Sequence, residues 1–128
     1  MASSIADYAE AKLVDHVLGT TTFTKPTSVF LSLHTANPGE TGTNEVAGGS
    51  YIRLAITFGA ATVGGGVATS NLTLDFTSMP AATVTAVGLW DASTVGNFLW
   101  GGDLASSKTV NSGDTFRVSS GNVTVTLA

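Results

Sequence analysis

The N-terminal stretch has the apolar spacing of an amphipathic helix. Ser4 is a favourable N-cap residue, and Gly19 is a favourable residue to end a helix. The pattern predicts one helix over residues 4–18, which must pack on a sheet or on a neighbouring subunit because a helix of this length is marginal alone. Its apolar face is formed by residues that recur at intervals of three and four, namely Ile5, Tyr8, Ala9, Leu13 and Val17.

Short strand-like runs make up the rest of the chain. The run 51–58 follows a glycine pair and is predicted to be the central strand onto which the others pack. The other predicted strands are 28–34, 67–76, the hairpin of 83–91 with 97–101, and the hairpin of 115–118 with 123–127. The pattern predicts a mainly β protein: one domain over residues 1–128, built as an antiparallel β-sandwich or a jelly-roll-like barrel with one N-terminal α-helix.

Two features of the predicted strands and loops concern contacts. A polar loop over residues 36–50 is long enough to be mobile or to act as a contact arm. Arg53 and Arg117 each stand in an otherwise uncharged strand. Because a partly buried arginine is costly without a partner, we expect Arg53 to have a carboxylate partner or a role in a subunit contact.

Composition narrows the possible functions. Charged residues make up 11% of the 128 residues, against about 25% in an average soluble domain, so we expect much of the surface to be covered in the working state. The net charge of −4, with five scattered Lys and Arg, argues against nucleic acid as a partner. The absence of cysteine excludes disulfides and a thiolate zinc site. We also expect no membrane span, no signal peptide and synthesis in a cytoplasm.

The residues show no pattern typical of catalysis or of a cofactor site. The carboxylates are dispersed and no nucleophile elbow or phosphate loop occurs, so we predict a non-enzymatic protein without catalytic residues, cofactor, metal or small-molecule substrate. His16 is expected to interact with a helix C-terminus, and His34 to be a surface or interface histidine. Trp90 and Trp100 are expected to fill the core, with a sugar-stacking patch as the alternative.

Several segments, in this order along nearly the whole chain, resemble a family of small phage virion structural proteins. Members of that family are labelled head decoration, minor tail or tail-fibre-like proteins, and the resemblance implies no catalytic residues. The segments that carry the resemblance are Asp7 to Gly19, Val29 to Pro38, Glu45 to Leu54, Val87 to Ala92 and Ser107 to Asp114.

The resemblance implies a place in the virion. We expect a capsid decoration or cement protein on the outer surface of the head, made in the host cytoplasm, that binds the major capsid protein and copies of itself as a homotrimer. A minor tail or tail-fibre protein is the alternative, and a carbohydrate-binding module is a less favoured one. The expected contact residues are Ile5, Tyr8, Leu13, Val17, Asn37, Glu45, Tyr51 and Arg53.

Overall fold

The computed structural model describes residues 4–127, so the first three residues and the last one of the predicted domain lie outside it. These residues form one helix and nine strands, all paired antiparallel, which confirms a mainly β protein with one helix. The elements are β1 (Ser4–Ile5), α1 (Asp7–Val17), β2 (Val29–His34), β3 (Leu54–Ile56), β4 (Val67–Thr69), β5 (Leu74–Phe76), β6 (Ala82–Trp90), β7 (Phe98–Val110), β8 (Phe116–Val118) and β9 (Thr124–Thr126).

The helix begins three residues later than predicted. Ser4 is not its N-cap, because Ser4 and Ile5 pair with Gly101 and Trp100 of β7 as a short edge strand. The N-cap position falls on Ala6, whose side chain cannot cap. The carboxylate of Glu40 takes over this task by accepting the N–H of Asp7 at 3.0 Å.

The main sheet has five strands in the order β1-β7-β6-β2-β3. The predicted hairpin of β6 and β7 is confirmed, with Leu89 opposite Trp100. The prediction of a central strand over 51–58 is wrong, because only Leu54–Ile56 form a strand and that strand is the last in the sheet order. Residues 51–53 leave the sheet where the side chains of Tyr51 and Arg53 bond to Glu45.

Two short ribbons, β4–β9 and β5–β8, form the second layer. They contradict the predicted strand over 67–76 and the predicted C-terminal hairpin. The predicted strand over 67–76 is interrupted at Ser70, whose N–H donates to the carbonyl of Val123. The predicted C-terminal hairpin does not form, because β8 pairs with β5 and β9 pairs with β4. The N–H of Gly121 donates to the carbonyl of Ser70, which holds the crossing between the ribbons.

The two faces of the main sheet differ. Its aliphatic face (Leu31, Leu33, Val87 and Leu89) packs against the ribbons in one buried core that includes Leu74, Phe76, Phe116 and Val118. Its polar face (Ser32, His34, Trp90 and Phe98) is also buried, beneath the covering loop of residues 35–46. Within residues 4–127 the strands close no barrel, so the sandwich is the predicted architecture that agrees with the structure.

Candidate functional site

Three of the expected contact residues meet beside the polar face. The guanidinium of Arg53 donates from Nε and Nη2 to the two carboxylate oxygens of Glu45, at 3.0 and 2.9 Å. The hydroxyl of Tyr51 donates to the same carboxylate at 2.8 Å. The Nη1 atom of Arg53 donates to the carbonyls of Ala92 and Val95, at 3.0 and 2.8 Å. The predicted carboxylate partner of Arg53 is therefore confirmed, and the pair ties the 91–97 turn to the covering loop.

This pair faces inward. Only 8% of the Arg53 side chain and 23% of the Glu45 side chain are exposed, and the guanidinium lies 3.7 Å from the ring centroid of Trp90. Burial by itself raises the pKa of Glu45, but the hydrogen bonds from Arg53 and Tyr51 outweigh it and leave that pKa below its usual range. Burial raises the pKa of Tyr51 well above its usual range. The arrangement keeps one ionised carboxylate fully bonded inside the chain.

His34 lies in the middle of the polar face and is fully buried, so the expectation of a surface or interface histidine is wrong. Its Nδ1 atom is 2.7 Å from the carbonyl oxygen of Thr43, and its Nε2 atom is 2.7 Å from the hydroxyl of Ser32. The same hydroxyl accepts the indole N–H of Trp90 at 2.9 Å. Burial lowers the pKa of His34. A serine within hydrogen-bonding distance of a histidine resembles a nucleophile and its base, but solvent reaches neither residue.

Asn37, another expected contact residue, holds the covering loop to the sheet. Its amide donates to the carboxylate of Asp103 at 3.0 Å, and its side-chain oxygen accepts the N–H of Gly39 at 2.9 Å. Its carbonyl accepts from the amide of Asn44 at 3.2 Å. This part of the predicted contact arm therefore packs on its own sheet.

The remaining expected contact residues lie in β1 and α1. Ile5 and Tyr8 are partly buried against the core, and Leu13 is half-buried. Val17 is 76% exposed, and it adjoins Val14 and Leu18, which are 55% and 75% exposed. These three side chains form the helix patch, and two of them, Val14 and Leu18, were not among the predicted contact residues. Their spacing of three and four positions is the signal that could have found them.

An apolar pocket of about 260 Å³ opens beside the helix. Trp100 is one of its walls, whereas Trp90 belongs to a second buried cluster with Ala6 and Phe98. The expected core role of Trp90 is confirmed, and Arg53 covers its ring. Other residues that line the pocket are Leu13, Phe23, Pro26, Phe58 and Val125.

Residues 4–127 contain no group of three or more His, Asp or Glu side chains placed to hold a metal ion. In the same part of the chain, no helix has the length and apolar character needed to cross a membrane.

Comparison with known proteins gives one family. Residues 4–126 match the family model described as podophage GP4 fiber I protein gp80. No curated protein matches the chain. Because the match spans nearly all of the sequence, the chain belongs to the podophage GP4 fiber I protein gp80 family and is a structural protein of the phage particle.

Proposed function

We propose that the chain is a non-enzymatic structural subunit of a phage fibre. The observation that carries this proposal is the match of residues 4–126 to a family whose description names a fibre protein. The charge-poor composition supports it, since a subunit packed among other virion proteins needs few charges to stay apart from its copies.

The helix patch is the surface through which we propose that this subunit attaches to its neighbours. Val14, Val17 and Leu18 expose apolar side chains side by side at the end of α1. Contiguous apolar surface of this kind marks interaction sites, because covering it removes the patch from water. Glu45, Tyr51 and Arg53, which were also expected as contacts, bond to one another within the chain.

Head decoration is the second candidate. A surface poor in charge suits a protein repeated over a capsid lattice as well as one packed into a fibre. In that arrangement the same helix patch would contact the major capsid protein or two further copies of the chain in a trimer.

The location of the chain in the virion separates the two candidates. Purified particles are labelled with gold-conjugated antibody against the chain, and its copy number is measured by mass spectrometry relative to the major capsid protein. We expect label on the fibres and few copies per particle. Label over the head, with a copy number close to that of the capsid protein, would replace the fibre proposal with head decoration.

The role of the helix patch is tested by substitution. We expect the double variant Val17→Asp with Leu18→Asp to fold but to be lost from particles, because two carboxylates cannot be buried in an apolar contact. The matched control is Val63→Asp, which changes a fully exposed valine at a loop tip. Normal incorporation of the double variant, or equal loss of both variants, would remove the helix patch as the contact.

A further inference from the structure

The hydrogen-bond chain through His34 allows one placement of its protons. The carbonyl of Thr43 can only accept, so Nδ1 of His34 carries a hydrogen. The oxygen of Ser32 accepts the indole N–H of Trp90 and gives its own hydrogen to Nε2 of His34. The imidazole is therefore neutral, and the polar side-chain atoms of Ser32, His34 and Trp90 are all satisfied.

A second proton on the imidazole does not fit this arrangement. It would occupy Nε2 and turn the Ser32 hydroxyl from donor into acceptor. Among the described residues, the Ser32 hydroxyl bonds only to His34 and Trp90, so its own hydrogen would lose its acceptor. A buried hydroxyl left without a partner destabilises the state that contains it.

The charged groups around His34 compensate only in part for a buried imidazolium. Glu45, from the covering loop, already accepts three hydrogen bonds from Arg53 and Tyr51. Arg53 itself is positive and disfavours a second cation. From β7, Asp103 lies across Ala86 of β6 in the register, and its carboxylate accepts from Asn37.

His34 is one of several anchors of the covering loop, beside the contacts of Asn37 and Glu45 described above. Two hydrogen bonds hold the loop to β2. Nδ1–H of His34 donates to the carbonyl of Thr43, and the N–H of Val46 donates to the carbonyl of Leu33. Gly42 lies directly on the aromatic pair, since an added Cβ would come within 2.8 Å of Phe98 Cδ1 and still closer to Trp90. Movement of this loop would therefore uncover Phe98 and the edge of Trp90 that Gly42 covers, while Arg53 lies over the face of the Trp90 ring.

We propose that His34 is a pH-sensitive latch. The neutral ring favours the closed covering loop, whereas a second proton favours the open loop, because it buries a charge and leaves the Ser32 hydroxyl without an acceptor although the bond from Nδ1 to Thr43 remains. Opening exposes Phe98 and the adjoining edge of Trp90, whose rings lie 5.1 Å apart, as an aromatic surface. The latch belongs to the isolated chain, so it does not depend on whether the protein sits in a fibre or on the head.

The direction of the pH dependence follows from burial. Burial lowers the pKa of His34 in the closed state; the bond to Thr43 and the charge of Glu45 oppose this in part, and Arg53 adds to it. In the open state the ring is solvated and its pKa returns to about 6.5. The open state then binds more protons, so the latch is at full strength above about pH 6.5 and is lost as the pH falls below that value. The ratio of open to closed loop rises by up to about tenfold per pH unit in this window.

Hydrogen exchange measured by mass spectrometry tests the proposal in the variant His16→Gln. The chain has two histidines, so this variant leaves His34 as the only one without altering the latch. Between about pH 7.5 and about pH 5.5, after correction for intrinsic rates, we expect exchange to accelerate at the bonded amides of Thr35, Gly42, Thr43 and Val46. Amides of β6 and β7 should stay protected.

Three results would overturn the latch. Exchange in the covering loop that does not respond to pH means that protonation does not open it. Equal acceleration in the loop and in β6 and β7 means that His34 stabilises the whole fold and controls no local opening. The variant His34→Gln, with a side chain that does not titrate, should lose the response, and retention of the response in that variant would also contradict the proposal. If His34→Gln does not fold, the His16→Gln experiment decides alone.

Discussion

The two faces of the main sheet are both buried, but they are held by different forces. On the aliphatic face, Leu33 is fully buried among apolar side chains, which pack without preferred direction. On the polar face, the neighbouring Ser32 and His34 are equally buried but are fixed by hydrogen bonds of defined direction. Adjacent residues of one strand therefore face two different environments. One is a core held by close packing of apolar side chains, and the other is a layer held by hydrogen bonds.

This difference assigns the two faces different tasks. The aliphatic face joins the main sheet to the ribbons and supplies most of the apolar burial. The polar face fixes a loop on the sheet through the bond from His34 to Thr43, and Arg53 beside it fixes a turn through the carbonyls of Ala92 and Val95. Directional bonds suit this task because they specify one position for a segment that has little apolar surface of its own.

The largest effect is expected on the aliphatic face. Leu33→Ala should lower the free energy of unfolding by about 3–5 kcal/mol, because it removes buried methyl groups and leaves a cavity. Urea denaturation measures the change. Leu33→Met nearly conserves volume and should cost less than about 1.5 kcal/mol. Equal losses in both variants would mean that this face does not depend on volume alone.

A loss of about 3 kcal/mol is expected from Arg53→Met beside the polar face, because it leaves the Glu45 carboxylate partly buried without its cation. The double variant Arg53→Met with Glu45→Gln removes both charges and should recover part of that loss. Chemical denaturation of both variants gives the comparison. A double variant that is less stable than the single one would show that the charges are not coupled as the structure indicates.

Gly88→Ala probes the tight packing of the polar face. An added Cβ would lie 2.6 Å from Phe98 Cε1 and 2.8 Å from Ser32 Oγ, so we expect a loss of about 2 kcal/mol from overpacking. Gly59→Ala is the matched control, because the nearest atom to its added Cβ is 3.9 Å away. In thermal denaturation, we expect a lower midpoint for Gly88→Ala and an unchanged midpoint for Gly59→Ala. Similar midpoints for the two variants would indicate room on the polar face that the structure does not show.

The smallest effect is expected at the Asp75–Arg117 ion pair between β5 and β8. Its atoms are 2.7 Å apart, and the hydrogen bond from Arg117 lowers the pKa of Asp75, but both side chains are exposed. Solvent screens such a pair, so Asp75→Asn should leave the denaturation midpoint unchanged within error. A clearly lower midpoint for Asp75→Asn would show that the β5–β8 ribbon depends on directional bonds, as the polar face does.

Much of the fold was predictable where apolar spacing is local and strong. The alternation over residues 28–34 and 83–91 gave β2 and β6, and Gly19 correctly marked the region where the helix ends. The ribbon pairings were not predictable, because three-residue strands carry too little pattern to choose a partner and long-range packing decides. The pairing of Ser4 and Ile5 with β7 was not predictable either, because long-range packing also decides it.

The site was predictable only in part. An arginine in an uncharged strand predicted a carboxylate partner or a subunit contact, and Glu45 supplies the carboxylate. His34 was misplaced because it ends a strand beside a turn, a position that is ordinarily solvated, whereas here a distant loop covers it. Aromatic rings approach the backbone closely at Gly42 and Gly88, and glycine at these positions is the trace of the covered face in the sequence. A single sequence does not show which ring approaches.

The protonation state of His34 tests most directly whether the polar face is a directional network. Nitrogen NMR of the isotope-labelled His16→Gln protein at about pH 7 reports which ring nitrogen carries hydrogen. The structure predicts a neutral ring with hydrogen on Nδ1, bonded to Thr43, and a bare Nε2 that accepts from Ser32. Hydrogen on Nε2, in either the other tautomer or an imidazolium, would contradict this account of the polar face.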